Sequence, residues 1–134
     1  MRLPPHIADR IRHFVENTGK DGFHPDNEAA RYGGISLLGT IGTTWLMRPD
    51  GSLWDVDDDF GKPLQPLAAE FHVLALVAGA ERHPWLAELL PMRPQRAVDC
   101  ATCAGRGRIV GSQPDYFVYC NVCSGLGWVT PSSA

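Results

Sequence analysis

The sequence has no positive charge to spare. Twelve lysines and arginines face fifteen aspartates and glutamates, a formal net charge of −3 over 134 residues. The chain as a whole therefore lacks the basic footprint of a nucleic-acid binder. It also lacks an apolar run approaching the roughly 20 residues of a membrane span. Leu3-Pro4-Pro5-His6 interrupts the stretch where a secretory leader would carry its apolar region. These absences lead us to expect a soluble, cytoplasmic protein with no membrane partner. Catalytic signatures are missing too. His6, His13, His24, His72 and His83 include no i, i+4 pair, and there is no Gly-x-Ser-x-Gly or phosphate loop. No pair of carboxylates stands out for acid–base work, so no catalytic residue is assigned and no enzyme is expected. Cysteine is absent from the first 99 residues.

A hydrophobic content of 44% is enough for one core, and the length suits one domain with an appendage. Pro4-Pro5 opens a helix whose Ile7, Ile11, Phe14 and Val15 fall on one face. A short helix over Glu28–Tyr32 ends at Gly33-Gly34. Ile35–Met47 reads as one strand or two. Arg48-Pro49-Asp50-Gly51 is a tight turn, and Ser52–Val56 is the return strand. Pro66 then starts a helix over Leu67–Ala78, with Gly79 as its cap. That helix is apolar almost all round, so its cover could come from a second chain in a homo-oligomer. A short helix over Trp85–Leu90 completes an α+β domain at residues 1–90. A proline-rich linker at 91–96, a cysteine module at 97–129 and a tail at 130–134 follow.

All four cysteines lie in two copies of one motif, Cys100-x-x-Cys103-x-Gly105-x-Gly107 and Cys120-x-x-Cys123-x-Gly125-x-Gly127. Each Cys-x-x-Cys turn can aim two sulfurs at one ion, and two turns complete the tetrahedron that structural zinc prefers. The sixteen residues between them allow a strand out and a strand back. Cys100, Cys103, Cys120 and Cys123 are thus the expected ligands of one structural Zn2+. Gly105 and Gly125 are expected to let the backbone turn its N–H groups toward the thiolates. Disulfides would require an oxidising compartment. A redox-active Cys-x-x-Cys would need only one pair. A [4Fe–4S] cluster also takes four cysteines, but the symmetric pairing favours zinc.

This stretch of about thirty residues resembles the DnaJ-type cysteine-rich zinc finger, whose motif is matched twice at every fixed position. Tyr116-Phe117-Val118-Tyr119 before Cys120 is similar as well. The family domain has four motif copies and two zinc ions; this chain has half of that. The resemblance implies contact with other proteins and no chemistry of its own. His24-Pro25-Asp26 spells the tripeptide of the J-domain, the other half of a DnaJ protein. That tripeptide belongs between two long helices, and here Thr18–Gly22 and Gly33-Gly34 break the chain on either side. No Hsp70-activating co-chaperone is expected.

The first ninety residues resemble the SUKH superfamily of bacterial immunity proteins. The resemblance rests on Leu3-Pro4-Pro5, Gly33-Gly34, Trp45-Leu46-Met47 with Pro49-Asp50-Gly51, and Ala68-Ala69-Glu70-Phe71. The usual family has more strands between the first helix and the hairpin. The resemblance implies an α+β fold that neutralises a partner toxin.

Further candidates are surface groups. Asp57, Asp58 and Asp59 would suit a basic partner but lack calcium-loop spacing. Trp128 is the candidate exposed aromatic contact. Arg106 and Arg108 are too few for strong phosphate binding. The expected function is protein–protein recognition, sharpened to a toxin-neutralising immunity or partner-binding protein. A chaperone-like or thiol–disulfide protein, and then a nucleic-acid-binding zinc protein, are the alternatives.

Overall fold

A computed structural model describes residues 2–40, 43–57, 62–111 and 117–131. Helix α1 (Pro5–Asn17) starts on a proline, which costs no hydrogen bond because the first-turn N–H groups have no helical partner. Its Ile7 and Ile11 are fully buried, with Phe14 and Val15 packed at the margin. Burying each isoleucine contributes about 1.5–3 kcal/mol. Helix α2 (Pro25–Arg31) is only seven residues long. The His24 ring caps it by accepting from the Asp26 N–H at 3.2 Å. Gly33 leaves α2 at φ 82°, a conformation that favours glycine.

Four antiparallel strands follow in the order β1 (Ile35–Thr40), β2 (Thr43–Met47), β3 (Leu53–Asp57) and β4 (Lys62–Pro66). A bulge in β1 between Ser36 and Leu38 shifts the register, so that Leu38 stands opposite Trp45. Alternation then sends side chains to two faces. Leu46 and Val56 meet Ala29 of α2 on one face. Ile35, Leu37, Met47 and Leu53 join Ile7 and Ile11 of α1, and Ala75 and Leu76 of α3 (His72–Arg82), in the main core.

The α+β class is as expected from the sequence, but helix α2 starts at Pro25 rather than Glu28, the expected helix over Trp85–Leu90 is a 3₁₀ segment at Pro84–Leu89, and two further details differ. Strand β4 escaped the sequence reading because Pro63 and Pro66 argue against a strand interior, and here they sit on an edge strand. Helix α3 begins five residues later than expected. The Leu67 N–H is held by the Leu53 carbonyl at 3.0 Å, which keeps this segment extended. A 3₁₀ turn at Ala69–Phe71 intervenes. Gly79 does not cap α3 but lies inside it, where a Cβ would press 2.5 Å from Leu37 Cδ2 and 3.2 Å from Leu86 Cδ1. The glycine serves close packing of helix on strand. Much of α3 is covered within the chain, by β1 and by a 3₁₀ segment at Pro84–Leu89. Among the described residues, no helix is long and apolar enough to cross a membrane.

The C-terminal part holds two small ladders, β6 (Arg108–Val110) with β7 (Phe117–Tyr119), and β5 (Val98–Asp99) with β8 (Trp128–Val129). It touches α3 directly. Glu81 pairs with Arg108 and accepts from the Tyr119 hydroxyl at 2.5 Å. A Cβ on Gly125 would lie 3.1 Å from Val77 Cγ1.

Candidate metal centre

The two Cys-x-x-Cys turns are near copies of each other. In each, the N–H of the first motif glycine bonds the carbonyl of the first cysteine, Gly105 to Cys100 at 3.0 Å and Gly125 to Cys120 at 2.8 Å. The next N–H bonds the carbonyl of the second cysteine, Arg106 to Cys103 and Leu126 to Cys123, both at 3.1 Å. These turns force left-handed backbone at Ala104 (φ 54°) and Ser124 (φ 55°), and at all four motif glycines. The two turns also interlock. The Cys120 N–H bonds the Gly107 carbonyl and the Cys100 N–H bonds the Gly127 carbonyl, both at 2.9 Å.

This frame brings the four sulfurs together, all within 4.8 Å of one another. Cys100 Sγ lies 3.9 Å from Cys120 Sγ, and Cys103 Sγ lies 3.7 Å from Cys123 Sγ. A tetrahedral ion with metal–sulfur bonds of about 2.3 Å sets its ligands about 3.8 Å apart. A disulfide would need about 2.05 Å. The four cysteines are buried and form a small core of their own, with Val129 packed against it. The arrangement can hold one metal ion.

The N–H donors to sulfur differ from those expected. Gly107 N–H points at Cys103 Sγ and Gly127 N–H at Cys123 Sγ, each at 3.2 Å. Gly105 and Gly125 spend theirs on carbonyls, because the turn closes before the chain reaches sulfur. The second glycine of each motif could have been singled out only by folding the turn. Burial pushes the Cys103 thiol up, but the Gly107 N–H and the neighbouring sulfurs outweigh it and bring it down to about 7. Burial pushes Cys123 up to about 12, against the pull of the Gly127 N–H. One thiolate forms readily and the last does not, as clustered acids require. A cation is what lets all four lose their protons together.

No family model matches the chain, and no curated protein or solved structure does either.

The other sequence candidates fall elsewhere. Trp128 is half-buried in β8, opposite Asp99. Asp57 is half-buried at the end of β3, and Asp58 and Asp59 lie outside the described residues. Arg108 is engaged by Glu81 and stacks over Phe117 at 4.3 Å, so it is not free for phosphate. Among the described residues, the exposed large apolar groups of this part are Val98, Ile109, Val110, Val118 and Val122, none of them marked by a sequence motif. Asp26 of the J-domain-like tripeptide is paired with Arg82 at 2.7 Å.

Proposed function

We propose that the chain is a non-catalytic zinc protein that recognises another protein, with the metal bracing the recognition surface. The observation that carries this reading is the closed, buried four-sulfur site. Four protein ligands leave no open position for a substrate, which is the mark of a structural zinc. Zinc suits the ligand set because four thiolates in a tetrahedron select zinc or iron–sulfur chemistry. Among its described residues, the module fixed by that site has almost no apolar core beyond its own sulfurs, yet it exposes five large apolar side chains. Apolar groups held out on a rigid frame are what a protein partner would cover. Within this reading, a toxin-neutralising immunity protein is the sharper assignment. Its support is the resemblance of the element order, helix, Gly33-Gly34, antiparallel sheet and closing helix, to that family.

Metal content, measured on protein purified without added zinc, tests the metal half. One zinc per chain, lost in Cys120→Ala together with the ordered C-terminal part, is the expected result. Iron with visible colour overturns the zinc assignment, and no metal with rapidly alkylated thiols overturns the metal site itself and favours a thiol–disulfide protein. In-cell cross-linking of the metal-loaded full chain tests the partner half. A partner captured by the wild type and lost in Cys120→Ala supports recognition.

A further inference from the structure

A cleft of about 400 Å³ opens between the sheet and the C-terminal part, lined by Leu38, Leu74, Phe117, Val118 and Tyr119. A second hollow of about 210 Å³ adjoins it, lined by Leu38, Gly39, Thr43 and Trp45. Leu38 lines both, so the two hollows meet at this side chain and together offer a largely apolar trough. Trp45 extends it, with its ring 5.5 Å from that of the exposed Phe71.

The sheet register decides what lies at the end of the trough. Leu38, Trp45, Asp55 and Gln65 stand opposite one another across β1 to β4. Cross-strand partners share a face, so Asp55 sits beside Trp45 with no cation in its own row. Asp57 is next along β3 on that face and stands opposite Lys62 of β4. Asp55 and Asp57 each bury one carboxylate oxygen that has no hydrogen-bond donor among the described residues. Such an oxygen is costly to leave unmatched, and a cation docked against the exposed part of the half-buried Asp55 side chain would offset that cost. Among the described residues, strand β1 ends the four-stranded order and β7 pairs only with β6, so each of these two strands has one unpaired edge. An extended chain can use such edges for main-chain hydrogen bonds.

We propose that this trough takes an extended segment of a partner protein. Its apolar side chains would lie against Leu38, Leu74 and the β7 wall, and a lysine or arginine would reach Asp55. The proposal rests on the protein-recognition reading and specifies the site and the chemistry of the partner. It also gives the metal a role, because Tyr119 of the trough wall is followed directly by Cys120, so losing the metal dismantles the wall.

The test selects binders from a phage-displayed library of random dodecapeptides, using the full-length, zinc-loaded protein, and measures their synthetic copies by fluorescence anisotropy. The expected result is peptides with several apolar residues and at least one Lys or Arg. Val118→Glu, at an exposed position that should not disturb folding, weakens them about tenfold or more. Asp55→Asn weakens them about fivefold, and has no effect on peptides whose basic residue is replaced by alanine. Stripping the zinc abolishes binding. No enriched peptide, an acidic consensus, or peptides indifferent to both variants overturns the proposal. A native mass showing a dimer that Val118→Glu splits also overturns it, since a second copy would then fill the trough. The two readings fail separately. A cross-linked partner that binds both variants normally sinks the trough and leaves recognition standing, whereas no partner for the metal-loaded wild type sinks recognition itself.

Discussion

Single residues decide whether the two cysteine turns can close. Gly107 and Gly127 combine left-handed backbone, φ 76° and 86°, with close approach of one turn to the other. A Cβ on Gly127 would stand 2.6 Å from the Gly105 carbonyl oxygen, and one on Gly107 would strike that of Gly125. Backbone cannot step aside as a side chain can. Gly127→Ala should therefore combine about 1–2 kcal/mol of conformational cost with separation of the turns and a disturbed N–H bond to Cys123. We expect metal affinity to fall about 10–100-fold, read by competition with a chelator. Gly105→Ala meets only the Asp99 side chain, at 3.1–3.4 Å, so it should cost less. A different kind of residue effect is expected at His83. Burial lowers its pKa most; Asp26 and a backbone bond to Ser36 pull it back, and Arg82 adds to the lowering. The folded state thus favours the neutral ring. Its contribution to stability is complete above the unfolded value of about 6.5 and is lost as pH falls from there toward the lowered folded value. Urea unfolding at pH 5 and pH 7.5 should show a loss at the lower pH that His83→Gln reduces.

At the scale of elements, helix α3 shows both what the sequence reveals and what it conceals. The apolar periodicity of α1, the Pro-Asp-Gly turn and the metal-ligand spacing were legible because each is a local rule acting over a few residues. Gly79 was not, because its role depends on Leu37 some forty residues earlier. A glycine near the end of an apolar helix looks like a cap from sequence alone; here it admits a strand. Strand β4 was hidden for a similar reason, since its prolines make sense only once it is known to be an edge. The packing role can be checked. Gly79→Ala improves helix propensity by about 1 kcal/mol, whereas overpacking against Leu37 and Leu86 costs about 1–3 kcal/mol. We expect a net loss, seen as a lower Tm, and a larger one for Gly79→Val. Glu81 joins α3 to both β6 and β7 through Arg108 and Tyr119. These side chains are about two-fifths exposed, so Glu81→Ala should cost no more than about 1 kcal/mol globally. Its signature would be local, as faster amide exchange at 117–119 with the four-stranded sheet unchanged.

The whole molecule is built from two parts with different sources of order. Among the described residues, the main core draws on twelve buried apolar residues, most of them from helices and sheet, and no cysteine belongs to it. Among its described residues, the C-terminal part has its four cysteines and one partly buried valine as a core, far too little to outweigh the entropy of ordering some thirty residues at about 1–2 kcal/mol each. Metal binding would supply the difference, because a site that exists only when folded returns its binding energy as folding energy. Chelation at neutral pH should therefore unfold residues 97–129 and leave the helices and the four-stranded sheet in place. Hydrogen exchange followed by mass spectrometry would show this as complete loss of protection at 98–110 and 117–129, with protection kept at 35–38 and 74–79. Acid should act in the same way, since protons compete with the metal for thiolates whose free pKa values reach about 7 at Cys103 and about 12 at Cys123. Metal release should grow as pH falls and reverse when pH is restored with metal present. If chelation instead melted both parts in one step, the contacts of Glu81 and Val77 across the junction would be holding a single cooperative unit, and the metal would be stabilising the whole chain.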